Sequence, residues 1–394
     1  MVRPKFHFSI YLAILSIAGF LATDMYLPAF DIMHIDMATT RANVGASLSI
    51  FLGGFAIGQI LWGNIADRYG KPEALMMGLS IFTIASFMLF YIQDIQYFLA
   101  WRLAQALGIC SAAVCWQALV IDRYPEGETN KIFASIMPLV ALSPALAPLF
   151  GVAILKYWGW RYIFVVLAAI GIALIVYTFP LLGQNKKESN SKSEISYLTF
   201  FKSRLFIGNV MIYGFCSAGF FAWLTGAPFF LKNLGYNESD IGLSFVPQTI
   251  AFIVGGYGYR LIAGKVDGLK LIPILLLIYA VSMLTILYMG LFTTPTLSML
   301  LIPFSTMAFS NGACYPIVVA DALQPFAHQS GKASSLQNTL QLGISFLASI
   351  LVAFFSHHAL IATCIVMAST VVFAAWGYYL TISYRKVSSA SVLD

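Results

Sequence analysis

The sequence predicts an all-α membrane protein with twelve transmembrane helices, arranged as two pseudo-symmetric lobes of six helices each. Hydrophobic residues make up 60% of the 394 residues and charged residues only 10%, whereas soluble domains carry about 25% charged residues. Mean hydropathy is +0.83. The apolar residues form twelve runs of about 20 residues, the length that crosses a bilayer as a helix. One polar stretch leaves six runs on each side.

The apolar runs are separated by short gaps that contain most of the charges. Because they lack period-two alternation, they favour membrane helices over strands. Their predicted limits are 8–30, 44–65, 74–92, 97–121, 131–153, 159–180, 206–230, 240–262, 269–291, 296–320, 332–355 and 358–382.

Lys and Arg are distributed unequally between the two sides of this predicted bundle. Seventeen lie on the side of the N-terminus and four on the opposite side, while Arg102 lies within a span. Basic residues concentrate in cytoplasmic loops. We therefore expect both termini to be cytoplasmic and the protein to lie in a bacterial inner membrane. The first run is too long for a signal peptide and contains Asp24 and Pro28, so it is predicted as a span.

The polar stretch between spans six and seven is rich in Lys, Glu, Ser and Asn. It predicts a cytoplasmic linker at 183–205, between an N-terminal lobe at 1–182 and a C-terminal lobe at 206–394. Two lobes of six helices are the layout of a secondary transporter.

The cysteines show no spacing typical of a metal site or of a disulfide framework, since all five lie singly inside apolar runs. The histidines lie near predicted span ends. The charges are scattered rather than clustered on one face, which argues against nucleic-acid binding. We expect no metal and no organic cofactor.

Two ionisable residues interrupt the spans, Asp24 in span one and Arg102 in span four. An ionised group in the membrane costs roughly 2.5–3.5 kcal/mol on insertion scales. A lone acid and a lone base are expected to lie near one another or to be linked through water. One interpretation is a static ion pair. The other, which we favour, is a carboxylate that carries the transported proton and whose proton affinity Arg102 controls.

Uncharged polar and aromatic residues recur on particular helix faces. Single amides inside membranes often join helices, at about 0.6 kcal/mol each. As a set with aromatic rings and almost no acid, they predict a site for a neutral, planar, polar ligand. The predicted substrate-binding residues are Phe20, Thr23, Tyr26, Trp116, Gln117, Met137, Phe220, Trp223, Gln248, Asn311, Tyr315, Gln337, Asn338 and Gln341.

The loop between spans two and three reads GNIADRYGKP. Through Gly63, Asp67, Arg68 and Gly70, with Lys71 as the basic end, it resembles the G-x-x-x-D-R-x-G-R-K signature of the major facilitator superfamily. One basic residue of the signature is missing before the proline. The resemblance implies the major facilitator fold, and a loop that latches the N-terminal lobe in the outward-open state.

The segment beginning at Arg102 is similar to a second motif of the family, R-x-x-Q-G-x-G, with alanine at one glycine.

The string TDMYLPAF is similar to the first span of the Bcr/CflA drug/proton antiporter branch. Further strings across the chain, among them WQALVIDRYP, FFAWLTGAPF and NGACYPIVVADAL, resemble the purine nucleoside transporters of that branch. This resemblance implies a monomer that imports purine nucleosides such as adenosine, inosine or guanosine, with the proton as coupling ion. The alternatives are a multidrug/proton antiporter that exports drugs and, from another class, a nucleoside receptor. An enzyme is the least favoured, since no nucleophile–base constellation is present.

Overall fold

The structure, a computed structural model, describes residues 6–183, 196–236 and 238–390, and its regular elements are helices. The α-helices are α1 (Phe6–Asp24), α2 (Phe30–Asp36), α3 (Arg41–Tyr69), α4 (Lys71–Tyr91), α5 (Ile95–Arg123), α6 (Glu126–Trp158), α7 (Arg161–Thr178), α8 (Tyr197–Lys202), α9 (Arg204–Asn233), α10 (Glu238–Leu243), α11 (Phe245–Ile262), α12 (Gly268–Phe292), α13 (Leu297–Leu323), α14 (Ser330–Phe354) and α15 (Ala359–Ala390). Short 3-10 turns lie at Leu27–Ala29, Phe179–Leu181, Gln324–Gln329 and Ser356–His358.

Within the described residues, 9 helical stretches are long and apolar enough to cross a membrane. A further pair, at 128–143 and 146–158, is bent by 50° and makes up to 10 if it counts as one span. In both counts, α13 and α14 are taken together as a single 58-residue stretch, and α11 is not included. The all-helical prediction is confirmed, whereas the number of twelve spans stays a prediction.

The first predicted span agrees with a helical stretch at His7–Ala29, but its α-helical part ends early. Span one was expected at 8–30, but α1 ends at Asp24 and Pro28 lies in the following 3-10 turn. A proline ring clashes with the carbonyl four residues before it, which here belongs to Asp24, so an α-helix cannot run through this position undistorted. The predicted span 240–262 is likewise divided, into α10 and α11, with Ser244 between them.

One compact unit, called unit 1, comprises Met1–Tyr124, Leu142–Ile195 and Phe326–Leu336. Its central helix is α5, which packs against α1, α3 and α4. The approach of α5 to α4 depends on Gly108, because a Cβ there would lie 2.5 Å from the backbone nitrogen of Phe82. Small residues at such crossings let membrane helices pack closely.

The other compact unit, unit 2, comprises Pro125–Ala141, Ser196–Pro325 and Gln337–Asp394. Here α13 packs against α9, α11 and α12, and α9 packs along α15. The lobe limits inferred from the sequence stay a prediction. Residues 184–195 of the predicted linker lie outside the described residues, while α8 occupies part of its remainder.

Candidate functional site

Arg102 lies two turns into α5, and its side chain is fully buried in unit 1. Three aromatic rings surround the guanidinium, whose central carbon lies 4.1 Å from the ring centroid of Tyr26, 4.4 Å from that of Phe51 and 5.9 Å from that of Phe164. A cation over an aromatic face is attracted by the ring quadrupole, most strongly where water is excluded. We call Arg102 and these three rings the arginine cage.

The polar contacts of the guanidinium are incomplete. Nη1 donates to the carbonyl oxygen of Ala22 at 3.1 Å and to Oε1 of Gln105. The Gln105 amide in turn donates to the Ser86 hydroxyl at 2.8 Å. Nε and Nη2 are buried and have no hydrogen-bond partner among the described residues. The charge is therefore held by neutral groups, and part of its donor capacity is unused.

Asp24, the last residue of α1, lies close in sequence to two groups that contact Arg102, the Ala22 carbonyl and the Tyr26 ring. Its side chain is half-buried. No direct salt bridge joins Asp24 to Arg102, and none of the described residues forms a hydrogen bond or ion pair with the carboxylate. The acid and the base belong to one region of unit 1 without being a static pair.

The loop that joins α3 to α4 consists of one residue, Gly70, whose φ of 109° favours glycine. Just before it, the Asp67 carboxylate accepts hydrogen bonds from the backbone N–H groups of Gly331 at 2.9 Å and Lys332 at 2.7 Å. These donors lie in the first turn of α14, where free N–H groups and the helix dipole favour an anion. Gly63 packs on the same turn, since a Cβ there would approach the Gly331 carbonyl within 3.0 Å.

Lys71 connects two acids at this end of unit 1. Its ammonium lies 3.6 Å from Asp67 and 3.1 Å from Asp122. The Ser330 hydroxyl also donates to Asp122, at 3.0 Å. We call Lys71, Asp67, Asp122 and Ser330 the lysine cluster. Arg68, predicted as part of the same motif, is exposed and stacks near the Tyr69 ring instead.

An aromatic stack forms the centre of the candidate site in unit 2. The ring of Trp223, on α9, lies 4.1 Å from that of Phe304, on α13, at an interplanar angle of 18°. Phe220 is parallel to Phe304 at 6.3 Å. Trp223 is fully buried, and its Nε1–H has no acceptor among the residues described. Sequence reasoning missed Phe304, because one phenylalanine in an apolar run carries no distinguishing signal.

Buried amides accompany the stack in unit 2. Asn311 donates to the Cys216 carbonyl at 3.3 Å, but its Oδ1 has no partner among the described residues. Gln337 is 1% exposed, and both of its amide atoms lack a partner in the described part of the chain. Gln341 is satisfied, because it donates to the Ser217 hydroxyl at 2.6 Å.

Four other predicted residues belong to unit 2. Gln248 donates to the Phe245 carbonyl of its own helix at 3.0 Å. Tyr315 packs edge-to-face on Tyr213 at 4.8 Å. Met137 is buried in the part of α6 that belongs to unit 2, and Asn338 on α14 is half-buried.

The remaining predicted residues belong to unit 1. Phe20 is 38% exposed, and Thr23 donates to the Gly19 carbonyl of its own helix at 2.8 Å. Trp116 and Gln117 are buried on α5, and Gln117 Oε1 has no partner among the described residues. Tyr26, predicted as a substrate contact, lies against Arg102 in the arginine cage.

Membrane-length helices with charged groups buried between them are typical of transport proteins. The family model described as Major Facilitator Superfamily matches residues 12–349. The chain belongs to the Major Facilitator Superfamily and is a multi-pass membrane transporter of small molecules. Members of this superfamily are transporters rather than enzymes.

Several curated proteins are similar over most of the chain. The uncharacterized MFS-type transporter YdgK of Bacillus subtilis is 27% identical over 89% of each chain. The bicyclomycin resistance protein homolog of Haemophilus influenzae is 25% identical over 96% of each. The chloramphenicol resistance protein CraA of Acinetobacter baumannii is 23% identical over 88% of this chain and 85% of its own.

Solved structures share the fold. FucP in the outward conformation superposes with a TM-score of 0.73 at 13% identity, covering 94% of this chain and 99% of its own. The proton:xylose symporter XylE gives 0.73 at 15% identity, with 95% of each chain covered. At such identities the likeness concerns the fold alone.

The comparisons confirm the superfamily that the loop motif indicated. They do not support the finer resemblance to purine nucleoside transporters. Two of the relatives described above are named for drug resistance, so drug export, which was the alternative, has the better support.

Proposed function

We propose that this protein is a proton-coupled exporter of neutral, aromatic, drug-like compounds. Its relatives include proteins named for resistance to bicyclomycin and to chloramphenicol and a protein named as a multidrug transporter. Their names supply the substrate class, and the site chemistry of this chain is compatible with it.

The observation that carries the proposal is the aromatic stack with its accompanying amides in unit 2. Trp223 and Phe304 stack on one another and are fully buried, while Gln337 and Asn311 have hydrogen-bonding atoms without partners among the described residues. Stacking of an aromatic group on such rings contributes roughly 1–3 kcal/mol per base in nucleic-acid proteins. None of these side chains carries a charge, so the site favours a neutral ligand over an ion.

The proton would be carried by Asp24. An ionised carboxylate within a membrane is costly, and Asp24 has no counter-ion among the described residues to offset that cost. Protonation from one side and release to the other, in exchange for drug, gives the coupling. Arg102 remains charged inside its aromatic cage and favours the ionised form of Asp24 when the two approach.

The lysine cluster would act as the conformational latch that the motif resemblance implies. Asp67 holds the first turn of α14 through two backbone hydrogen bonds. Alternating access requires contacts that form in one state and break in another. We propose that these two hydrogen bonds are such contacts.

Everted membrane vesicles distinguish export of drug from import of nucleoside. We expect chloramphenicol added to energised vesicles to release protons from the lumen, as a pH-sensitive dye reports, and radiolabelled drug to accumulate inside. Asp24→Asn should abolish both signals. Asp36→Asn, which removes an acid outside the spans, is the matched control and should retain them.

Purine nucleoside is the second substrate to test, because a base would also suit an aromatic and amide site. Right-side-out vesicles that accumulate adenosine under an inward proton gradient, with no chloramphenicol response in the everted ones, would replace drug export by nucleoside import. Full proton-driven drug accumulation by Asp24→Asn would instead remove Asp24 as the proton carrier.

A further inference from the structure

Gln59, on α3, is a buried amide that the sequence patterns did not single out. It is 1% exposed, and neither Nε2 nor Oε1 has a hydrogen-bond partner among the residues that the structure describes. Buried side-chain amides are usually hydrogen-bonded, because an unpaired buried donor or acceptor costs free energy. An amide with both ends unpaired is an exception that needs a physical reason.

Two other buried polar side chains of unit 1 find partners within the protein. Trp62, one turn further along α3, donates its Nε1–H to a backbone carbonyl of α5 at 2.6 Å. Gln105 accepts from Arg102 and donates to Ser86 at 2.8 Å. Packing in this unit therefore can satisfy an amide and an indole, and Gln59, with both amide atoms unpaired, differs from these two side chains.

Gln59 lies beside the face of α3 that packs on α5, on the side towards Gly63 and Asp67. Gly58 faces α5, since a Cβ there would lie 3.1 Å from Cys110 Cβ. Gly63 and Asp67 instead contact the first turns of α14. Gln59 precedes them by four and eight residues, so the three lie on one face of the helix. Gln59 therefore lies on the same helix face as the proposed latch residue Asp67, two turns earlier along α3.

Gln59 lies at the position along its membrane span where secondary transporters bind substrate. Eight residues of helix separate it from Asp67, a rise of about 12 Å. The span runs from Asn43 to Tyr69, so Gln59 lies near its middle. Secondary transporters bind substrate near the bilayer midplane.

We infer that Gln59 is a substrate-binding residue, and that the transported molecule supplies both an acceptor to its Nε2 and a donor to its Oε1. The inference rests on the proposed function and narrows its substrate class. A neutral compound with an amide or with neighbouring hydroxyls offers both groups, whereas a quaternary ammonium ion offers neither. Chloramphenicol, which has an aromatic ring, a secondary amide and two hydroxyls, fits this description.

The test uses the full-length protein, purified as wild type, Gln59→Met and Asn64→Ala. Met conserves side-chain length and removes the amide. Asn64, on the same helix, is exposed and bonds to the Ile60 carbonyl at 3.3 Å, so its substitution is the matched control. The dissociation constant for chloramphenicol and the melting temperature without ligand are measured for each protein.

We expect Gln59→Met to weaken binding about tenfold, the loss expected for two neutral hydrogen bonds. Its melting temperature without ligand should equal or exceed that of the wild type, because no internal hydrogen bond is lost. Asn64→Ala should bind as the wild type does.

Two results would overturn the inference. One is an unchanged dissociation constant in Gln59→Met. The other is a lower melting temperature without ligand, which would show that the amide is paired inside the protein whatever the ligand. A wild type that binds no chloramphenicol would count against the proposed function, and the melting temperature would still show whether the Gln59 amide is paired inside the protein.

Discussion

Two of the cations that unit 1 shields from solvent, Lys71 and Arg102, are neutralised in opposite ways. Lys71, whose side chain is 12% exposed, lies within 4 Å of the carboxylates of Asp67 and Asp122. Arg102, fully buried, contacts aromatic faces, a carbonyl and an amide, and forms no salt bridge with any described residue. The first charge is cancelled by anions, whereas the second is only solvated by neutral groups.

This difference separates a cation that stabilises one conformation from a cation that can act on a titrating group. A cation surrounded by carboxylates stabilises the fold and has little field left to act on another group. A cation held by rings and a carbonyl keeps its field, which acts on any acid that approaches. Arg102 has unused donors, and the Asp24 carboxylate has no counter-ion among the described residues, so the two groups can interact when they approach. We therefore expect the lysine cluster to determine stability and the arginine cage to determine coupling.

The largest effect is expected from Arg102→Met. Proton-driven drug transport in vesicles should fall to the background of vesicles without the protein. Thermal unfolding should shift by no more than about 1–2 kcal/mol, because the lost cation–π attraction is offset by removal of an unpaired buried charge. Arg102→Lys should also fail, because an ammonium lacks the planar face and the fork of donors.

The folding of Arg102→Met and the transport rate of Arg102→Lys test this interpretation. If Arg102→Met unfolds the protein, then the cage is structural and the contrast between the two cations fails. If Arg102→Lys transports at the wild-type rate, then charge alone suffices and the planar geometry of the cage has no role.

Lys71→Met should have the largest effect on stability. It leaves Asp67 and Asp122 mostly buried without their common cation, and removal of one partner from a buried ion pair costs about 3–5 kcal/mol. We expect about 3 kcal/mol here, measured as chemical or thermal unfolding in detergent. The double variant Lys71→Met/Asp122→Asn should recover part of that loss, and strictly additive losses would exclude the charge coupling.

The sequence predicted the two charged centres to different extents. Asp24 and Arg102 were found because an ionised residue in an apolar run is expensive and therefore conspicuous. The arginine cage could not be found, since Phe51 and Phe164 are ordinary in a membrane helix until the fold brings them to the guanidinium. Asp122 was missed for a related reason, because an acid at the end of a span resembles any interfacial charge.

The helices themselves were largely predictable, because apolar length alone defines them. The span predicted at 8–30 agrees with the helical stretch His7–Ala29, but hydropathy gave no sign that the steric effect of Pro28 ends α1 at Asp24 and leaves a 3-10 turn after it. Gln59 and Phe304 could not be recognised from sequence. Gln59 stands out because it has no hydrogen-bond partner among the described residues, and Phe304 because it stacks on Trp223. Both facts depend on the folded structure and are not visible in the sequence.

Asp67→Asn should have a moderate effect that refines the role of the lysine cluster. The amide keeps one acceptor for the first turn of α14 and loses the charge that complements the helix dipole, a loss of about 1 kcal/mol. Hydrogen exchange should quicken at the backbone amides of Gly331 and Lys332. Unchanged exchange at both amides would contradict the capping contact.

A third cation, Arg161, combines the two kinds of contact and should give the smallest effect. It bonds to the Asp36 carboxylate and lies 4.3 Å over the Trp160 ring, whose Nε1–H also donates to Asp36 at 3.0 Å. The Arg161 hydrogen bond is the main cause that lowers the pKa of Asp36 below its ordinary range. The Asp36 side chain is 43% exposed, so solvent and salt screen the pair, and its contribution should stay below about 1 kcal/mol.

The sign of the pH dependence follows from that lowered pKa. A carboxyl that is more acidic in the folded than in the unfolded state stabilises the fold fully above its unfolded pKa, about 3.9, and loses that contribution as the pH falls through the folded value. The difference in melting temperature between wild type and Asp36→Asn should therefore be small at pH 7 and vanish in strong acid. A difference at pH 7 as large as that of Lys71→Met would show that exposure does not attenuate the pair, and that burial is not what separates these three cations.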